Sequence, residues 1–341
     1  MGRLLLHAPN VHVGGGLVLL KELLAAQDGA SLWANLDHRA KAILSLPAGT
    51  ESHFVKASPI DRLKAELRLQ HAARTDDVIL CFHGMPPLLP LRGHVVVFQQ
   101  NRNYFGLTPL SEFSGKTKIR VAFERIVCRA FKGNVNEYVV QTPSMRTALM
   151  TWHGAKPPVR VIPFIGAMAA TSPEADANVR DGYDFVYVAD GEAHKNHRRL
   201  LAAWILLAEK NIRPTLALTL PPHCRALRAE FDSASASHGL HIEQLGVLPH
   251  ADILALYRNA KALVFPSMTE SFGLPLLEAS WANLPIIASE LDYVRDVCVP
   301  VDTFDPTSPV SIARAIRRFL GVAEPVASIG SAADFLAELR S

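Results

Sequence analysis

Glu270 and Glu278 bracket a short polar loop in the stretch Phe265-Pro-Ser-Met-Thr-Glu-Ser-Phe-Gly-Leu-Pro-Leu-Leu-Glu-Ala279. The apolar run Ala262 to Phe265 reads as a strand. A helix starts near Leu274, with Pro275 in its first turn, where a missing N–H costs nothing. The backbone N–H groups of Ser271, Phe272, Gly273 and Leu274 are then left at the positive end of a helix. Such an end binds anions, phosphate above all. Carboxylates beside a phosphate repel it unless they face hydroxyls, from which they accept hydrogen bonds. The stretch therefore fits a phosphate-bridged ligand with a sugar on either side, a nucleotide sugar. The plainer alternative is that Glu278 complements the helix dipole and Glu270 is a solvated loop residue.

Lys195, in His194-Lys-Asn-His197, is the second chemical candidate. It precedes a helix start, a place that disfavours cations. A lysine there can reach a diphosphate and neutralise charge growing on a leaving nucleotide. His194 and His197 lack a nearby acidic third ligand, and the chain has no Asp-x-Asp pair. No metal and no cofactor are expected. In the first half, two buried-strand runs end at His83 and at Gln99, followed by Asn101 and Asn103. Ligands sit at the carboxyl ends of parallel strands, so these are site candidates. So is the loop Gly14-Gly15-Gly16, which allows close backbone approach.

Strand and helix patterns alternate along the whole chain, as in an α/β fold with parallel sheets. Arg3 to His7 opens as a strand, the glycine loop follows, and Leu17 to Ala26 is helix-like. Asp61 to Ala73 is helical. Ser31 to Leu36 and Ala42 to Leu46 fit either strand or helix. Lys116 to Phe131 is an amphipathic helix, with Ile119, Phe123, Ile126, Val127 and Ala130 on one side. Its polar side is basic, opposed only by Glu124. It either faces the core with a solvated back or lies on an anionic membrane surface. Residues 166–184, rich in Ala, Ser, Asp and Gly, read as a linker, and Phe185 restarts the strand–helix pattern. The division is residues 1–165 and 166–325, with a closing helix over 326–341.

At 341 residues the chain can bury two cores. A net charge of +3, without a basic run interleaved with aromatics, argues against nucleic acid. Cys81, Cys128, Cys224 and Cys298 lack metal spacing and read as free thiols. No apolar stretch reaches bilayer-spanning length. A cytoplasmic protein is expected, with the inner face of the membrane as the alternative place.

The stretch around Glu270 and Glu278 resembles the E-x7-E signature of family 4 retaining glycosyltransferases of the GT-B fold, of the bacterial surface-polysaccharide type. Gly246-Val-Leu-Pro, Leu256-Tyr-Arg-Asn-Ala260, Ala282-Asn-Leu-Pro-Ile-Ile287 and Val188-Ala-Asp-Gly-Glu-Ala-His-Lys-Asn-His197 are similar to its flanking segments. Val140-Gln-Thr-Pro-Ser-Met145 and Val161-Ile-Pro163 fit in the first half. The resemblance implies two Rossmann-like domains facing a cleft, with the donor held mainly by the second. Glu278 would hold the donor ribose and Glu270 the transferred sugar. Ser271 to Leu274 and Lys195 would meet the diphosphate, and the closing helix would cross back onto the first domain.

The implied activity is metal-independent, retaining transfer of a hexose from a nucleotide diphosphate sugar to a glycan or lipid-linked acceptor, as in lipopolysaccharide assembly. The acceptor would enter between Gly14–Gly16 and the strand ends carrying His83, Gln99 and Asn101, with His83 in a catalytic role. Two departures stand out. Ala189-Asp190 replaces the family's Gly-Arg, with Arg198 or Arg199 as substitutes for the lost cation. Gln99 stands before the place where many members carry a histidine. Alternatives are a non-catalytic nucleotide-sugar binder or partner subunit, and a GT-B epimerase or phosphorylase.

Overall fold

The computed structural model describes residues 2–27, 32–105, 110, 113, 115–154, 157–164 and 182–322. Two parallel sheets organise them. The first contains β1 (Leu4–Ala8), β2 (Leu32–Asp37), β3 (Glu51–Val55), β4 (Val78–Cys81), β5 (His94–Phe98), β6 (Glu137–Val140) and β7 (Val159–Val161). Their spatial order is β3-β2-β1-β4-β5-β6-β7. The second contains β8 (Phe185–Tyr187), β9 (Leu216–Leu218), β10 (Ile242–Gln244), β11 (Ala262–Phe265), β12 (Ile286–Ser289) and β13 (Asp302–Phe304). Its order is β10-β9-β8-β11-β12-β13. In each sheet the chain order reverses beside the first strand, between β1 and β4 and between β8 and β11. That reversal opens a crevice at the strands' carboxyl ends.

Parallel sheets must be covered on both faces, which is why the inner strands read as unbroken apolar runs. On one face of the first sheet, helix α1 (Gly14–Ala25) packs Leu19, Leu20 and Leu24 onto Leu6, Ala34 and Leu36. The other face carries α2 (Pro59–Ala72), α3 (Gly115–Phe131) and α4 (Pro143–His153). Leu69, Cys128, Met145 and Leu149 of these helices share one core with Leu5, Ile79, Val95 and Val97. The second domain has its own core around Phe185, Trp204, Leu218, Val264 and Ile287. It is covered by α5 (His197–Ala208), α6 (Arg225–His238), α7 (His250–Arg258), α8 (Leu274–Trp281), the short α9 (Asp292–Arg295) and α10 (Pro309–Phe319).

Several expectations change. Gly14–Gly16 form the first turn of α1 rather than a loop, with Gly14 at φ +66°. Leu32 to Asp37 is a fully buried strand, whereas Ala42 to Leu46 forms no strand or helix. The three exposed apolar residues of α3, Ile119, Phe123 and Ile126, do not face the core; Val121, Val127 and Cys128 do. The four cysteines are free. The linker over 166–184 lies outside the described residues except for its last three, and the closing helix over 326–341 lies outside them entirely.

Asp77 pins the start of β1 to the β4–β5 side of the sheet. Its buried carboxylate accepts from the Arg3 backbone N–H (3.1 Å), Arg3 Nε (3.3 Å), Arg3 Nη2 (2.8 Å) and the Arg74 N–H (2.9 Å). Burial alone would raise its pKa, but these donors and the Arg3 charge outweigh it and hold the carboxyl below the usual 3.8. A depressed carboxyl stabilises the fold above its unfolded pKa, and that stability is lost as pH falls through the folded pKa. Asp77→Asn should cost roughly 2 kcal/mol at neutral pH. Melting curves of the two proteins should converge once the pH drops below 3.8 towards the depressed value.

Candidate active site

The carboxyl ends of the two sheets enclose a cleft of about 710 Å³. Its charged and hydrogen-bonding wall comes from Lys195, Glu270, Glu278 and His250 on one side and from His83 and Asn101 on the other. At its centre is the start of α8. Gly273 occupies the N-cap position at φ +79°, a left-handed geometry that favours glycine, and no side chain caps the helix. Ser271, Phe272, Gly273 and Leu274 all line the cleft. An uncapped helix start facing a cleft offers its N–H groups to an anion.

The loop leading into α8 is tied to the loop that carries Lys195. The Met268 N–H donates to the His194 carbonyl (2.8 Å), and the Tyr187 hydroxyl donates to the Lys195 carbonyl (2.6 Å). Asn196, itself left-handed at φ 63°, uses its amide to bridge the carbonyls of Pro266 (3.0 Å) and Pro306 (2.8 Å). This scaffold delivers Lys195 Nζ to within 2.7 Å of Glu270 Oε1. Both side chains are largely withdrawn from solvent, at 15% and 11% exposure. Burial works to lower the lysine pKa, but the Glu270 charge, aided by Asp190, outweighs it and raises the ammonium above its ordinary value. Lys195 is thus held cationic in the cleft.

Glu278 projects from one turn inside α8 and is nearly buried. Its Oε1 meets His250 Nε2 at 3.1 Å, and its Oε2 accepts from the Tyr257 hydroxyl at 3.3 Å. Burial raises the carboxyl pKa, and His250 and Tyr257 only partly oppose this. Neither His250 nor Tyr257 stands out in the sequence. They lie on α7, and only the fold brings them to Glu278.

From the first domain, the start of α1 faces the start of α8. A methyl group on Gly15 would come within 2.9 Å of Leu274 Cδ1. Two helix N-termini therefore converge on one cleft, each positive at its end. His83 lies half-buried in the cleft wall. Its Nδ1–H donates to the His7 carbonyl (3.1 Å), which leaves Nε2 as the acceptor nitrogen. Burial and the adjacent His7 ring, 5.1 Å away centre to centre, keep His83 well below the usual imidazole range. Behind it, His7 Nε2 meets Glu66 Oε1 at 3.3 Å, and Asn35 donates to His7 Nδ1 at 3.2 Å. Gln99 is not where the sequence suggested. It is 2% exposed, donating to the Gly84 carbonyl and accepting from the Asn101 N–H. Its neighbour Gln100 takes the place in the wall, because alternate residues beyond a strand end point to opposite sides.

Three first-domain groups brace the loop and its surroundings. Arg102 Nη1 reaches the Glu270 carbonyl at 3.5 Å, the Thr142 hydroxyl reaches the Ser271 carbonyl at 3.4 Å, and the Ser144 N–H donates to Asp296 at 2.9 Å. Arg198 and Arg199 do not supply the cation missing at Asp190. Arg198 pairs with Glu230 at the surface, and Arg199 donates to Asn196. Asp190 itself lines the cleft. Among the described residues no cluster of three or more metal-ligating side chains occurs. His197 is buried, its pKa pushed down to about 4 by that burial. A second depression, on the far side of α7, presents Asp252 as its one charged lining residue among the described residues.

Residues 171–334, slightly less than half of the chain, match the family described as "Glycosyl transferases group 1". Over 116 residues the chain is 33% identical to O-antigen chain mannosyltransferase B of Escherichia coli, covering 33% of this chain and 30% of that protein. Over 134 residues it is 34% identical to the serotype-specific mannosyltransferase WbdA of Escherichia coli, covering 38% of this chain and 16% of that one. The matches thus span under a third of the length of these curated relatives. Among solved structures, Anabaena Alr3699/HepE in complex with UDP and glucose superposes with a TM-score of 0.66 at 17% identity, over 94% of this chain and 90% of that one. WaaG, a glycosyltransferase involved in lipopolysaccharide biosynthesis, superposes with a TM-score of 0.63 at 16% identity, over 93% and 90%. The chain has the GT-B fold. Its second domain carries sequence similarity to the group 1 glycosyl transferases.

His250 lowers the Glu278 pKa, so its removal leaves burial less opposed. In His250→Ala, the Glu278 carboxyl followed by carbon-detected NMR should titrate at a higher pH than in the parent protein. An unchanged midpoint would mean that the 3.1 Å contact does not form in solution.

Proposed function

We propose that the protein is a retaining glycosyltransferase that moves a hexose from a nucleotide diphosphate sugar to a hydroxyl of a glycan or lipid-linked acceptor. The observation that carries this reading is the convergence of Lys195, Glu270 and Glu278 on the uncapped start of α8 within one cleft. The helix N–H groups and the Lys195 ammonium take the diphosphate. Glu278 accepts from the ribose hydroxyls and Glu270 from the hydroxyls of the transferred sugar. Glu270 compensates the charge of Lys195 across 2.7 Å. When the diphosphate arrives, the ammonium turns to it and the carboxylate is released to the sugar.

As the anomeric C–O bond breaks, negative charge grows on the leaving phosphate oxygen. Lys195 and the helix start are already oriented to stabilise it, which is where the rate enhancement arises. The acceptor hydroxyl attacks from the face the diphosphate leaves, and its proton passes to the departing phosphate oxygen. This accounts for retention without a carboxylate nucleophile. His83, with Nε2 free to accept, and Asn101 line the acceptor side. No metal is needed in this scheme, because the protein's own cation and dipoles supply the positive charge. Mannose is the first sugar to test, since the relatives named above are mannosyltransferases.

A thermal-shift panel of UDP- and GDP-linked hexoses should raise the melting temperature with the true donor by mass action. Glu278→Gln should weaken nucleotide binding about tenfold, the cost of one charged hydrogen bond. Because burial raises the Glu278 pKa, affinity in the parent should begin to fall above the ordinary glutamate value of 4.5 as the solution is acidified. Calorimetry on Glu278→Gln should lose that dependence. Glu270→Ala should reduce transfer by about a hundredfold or more while nucleotide affinity stays within about threefold; full turnover would remove Glu270 from the site. Chelator should leave the rate unchanged, and rescue by added Mn²⁺ would overturn the metal-free scheme. Asp190 in the place of a cation favours one other reading, a non-catalytic nucleotide-sugar binder. Release of free sugar from donor in the absence of acceptor would argue against that reading.

A further inference from the structure

Helices α2 and α3 cover the same face of the first sheet and send side chains into one core. Arg62 of α2 and Glu124 of α3 lie within electrostatic reach of each other on that face. Their outward sides are apolar. Ile60, Leu63 and Leu67 on α2 and Ile119, Phe123 and Ile126 on α3 are all between 50% and 73% exposed. Each set recurs at helical spacing and spans only about 60° of its helix, so each is a stripe. Two stripes of large apolar side chains left in water on one face of a domain are unfavourable unless something covers them.

The charge around the stripes selects the cover. Lys116 flanks the α3 stripe on one side and Lys118 and Arg129 flank it on the other, all exposed, while Lys64 adjoins the α2 stripe. The one acid of α3, Glu124, points inward, away from the stripe, and meets Arg120 at 3.8 Å. A rim of cations around an apolar stripe matches an interface of anionic headgroups over acyl chains. A second copy of this chain would bring the same cations against themselves. Among the described residues no helix is long and apolar enough to cross a bilayer, so contact through this surface would be peripheral.

We infer that the α2–α3 face seats the first domain on an anionic membrane, with Ile119, Phe123, Ile126, Leu63 and Leu67 entering the headgroup boundary. The inference does not depend on the donor assignment. It does place the cleft at the lipid surface. Arg125 Nε of α3 donates to the Asn103 carbonyl at 2.7 Å, and so ties the seated helix to the segment whose Asn101 and Tyr104 line the cleft.

Co-sedimentation of the full chain with vesicles tests this. Binding to phosphatidylcholine vesicles containing roughly one third phosphatidylglycerol should exceed binding to phosphatidylcholine alone by about tenfold or more, and should weaken with added salt. Ile119→Ser/Phe123→Ser/Ile126→Ser should lose about tenfold or more of that partitioning, and Lys116→Glu/Lys118→Glu should lose the preference for anionic lipid. The thermal shift produced by nucleotide should be unchanged in both variants, which separates loss of the surface from loss of the fold or of the donor site. The inference is overturned if the parent ignores anionic vesicles or if the serine variant binds them equally. It is also overturned if sedimentation velocity shows a dimer that the serine substitutions dissolve, since the face would then be a protein interface.

Discussion

A lysine–glutamate pair largely withdrawn from solvent, 2.7 Å apart, is the contact on which the organisation of this cleft depends. Its two members come from loops 75 residues apart in sequence. An ammonium withdrawn from water is costly unless a negative charge answers it. Glu270 provides that answer, so the cation is kept in place by the protein itself. The hydrogen bonds of Asn196, Tyr187 and Met268 make sense as the frame for that pair. They fix the backbone of both loops, which leaves only the two side-chain ends free to exchange partners.

The same economy runs through the rest of the wall. Glu278 is engaged by His250 and Tyr257, and His83 is oriented from behind by the His7 carbonyl. Both oxygens of Glu278 are oriented by protein partners, and His83 has one ring nitrogen committed to the protein and the other open. Such an arrangement lowers the cost of ordering when a polar ligand enters. The first domain adds to it by bracing the Glu270–Ser271 backbone through Arg102 and Thr142, so the Glu270 loop is held by both domains.

How much of this could be read in advance follows from where physical signals reside in a sequence. The inner strands other than β2, and the long helices, were legible because burial on both faces, or on one stripe, leaves an imprint in the apolar pattern. Edge strands β3 and β13 were not, since Glu51 to Val55 and Asp302 to Phe304 are only partly covered and carry little apolar pattern. Helix α3 was legible as a helix, yet it has two apolar sides, and only packing decides that Val121, Val127 and Cys128 go inward. Lys195, Glu270 and Glu278, which the fold brings to one cleft, could be singled out beforehand because helix-end chemistry is local. Their partners His250, Tyr257 and Arg102 were missed because those contacts cross 21 to 168 positions of chain with no spacing to announce them. Gln99 and Gln100 differ by one step beyond a strand end, and that step exchanges inside for outside.

The approach of Gly15 to Leu274 has a consequence for how wide the cleft stands at rest. The two domains touch there through a position with no side chain and the tip of a flexible one. A methyl group added at residue 15 would press on the movable end of Leu274, which can turn aside, so the seam between the two helix starts is closed by an apolar contact with give in it and carries no charge of its own.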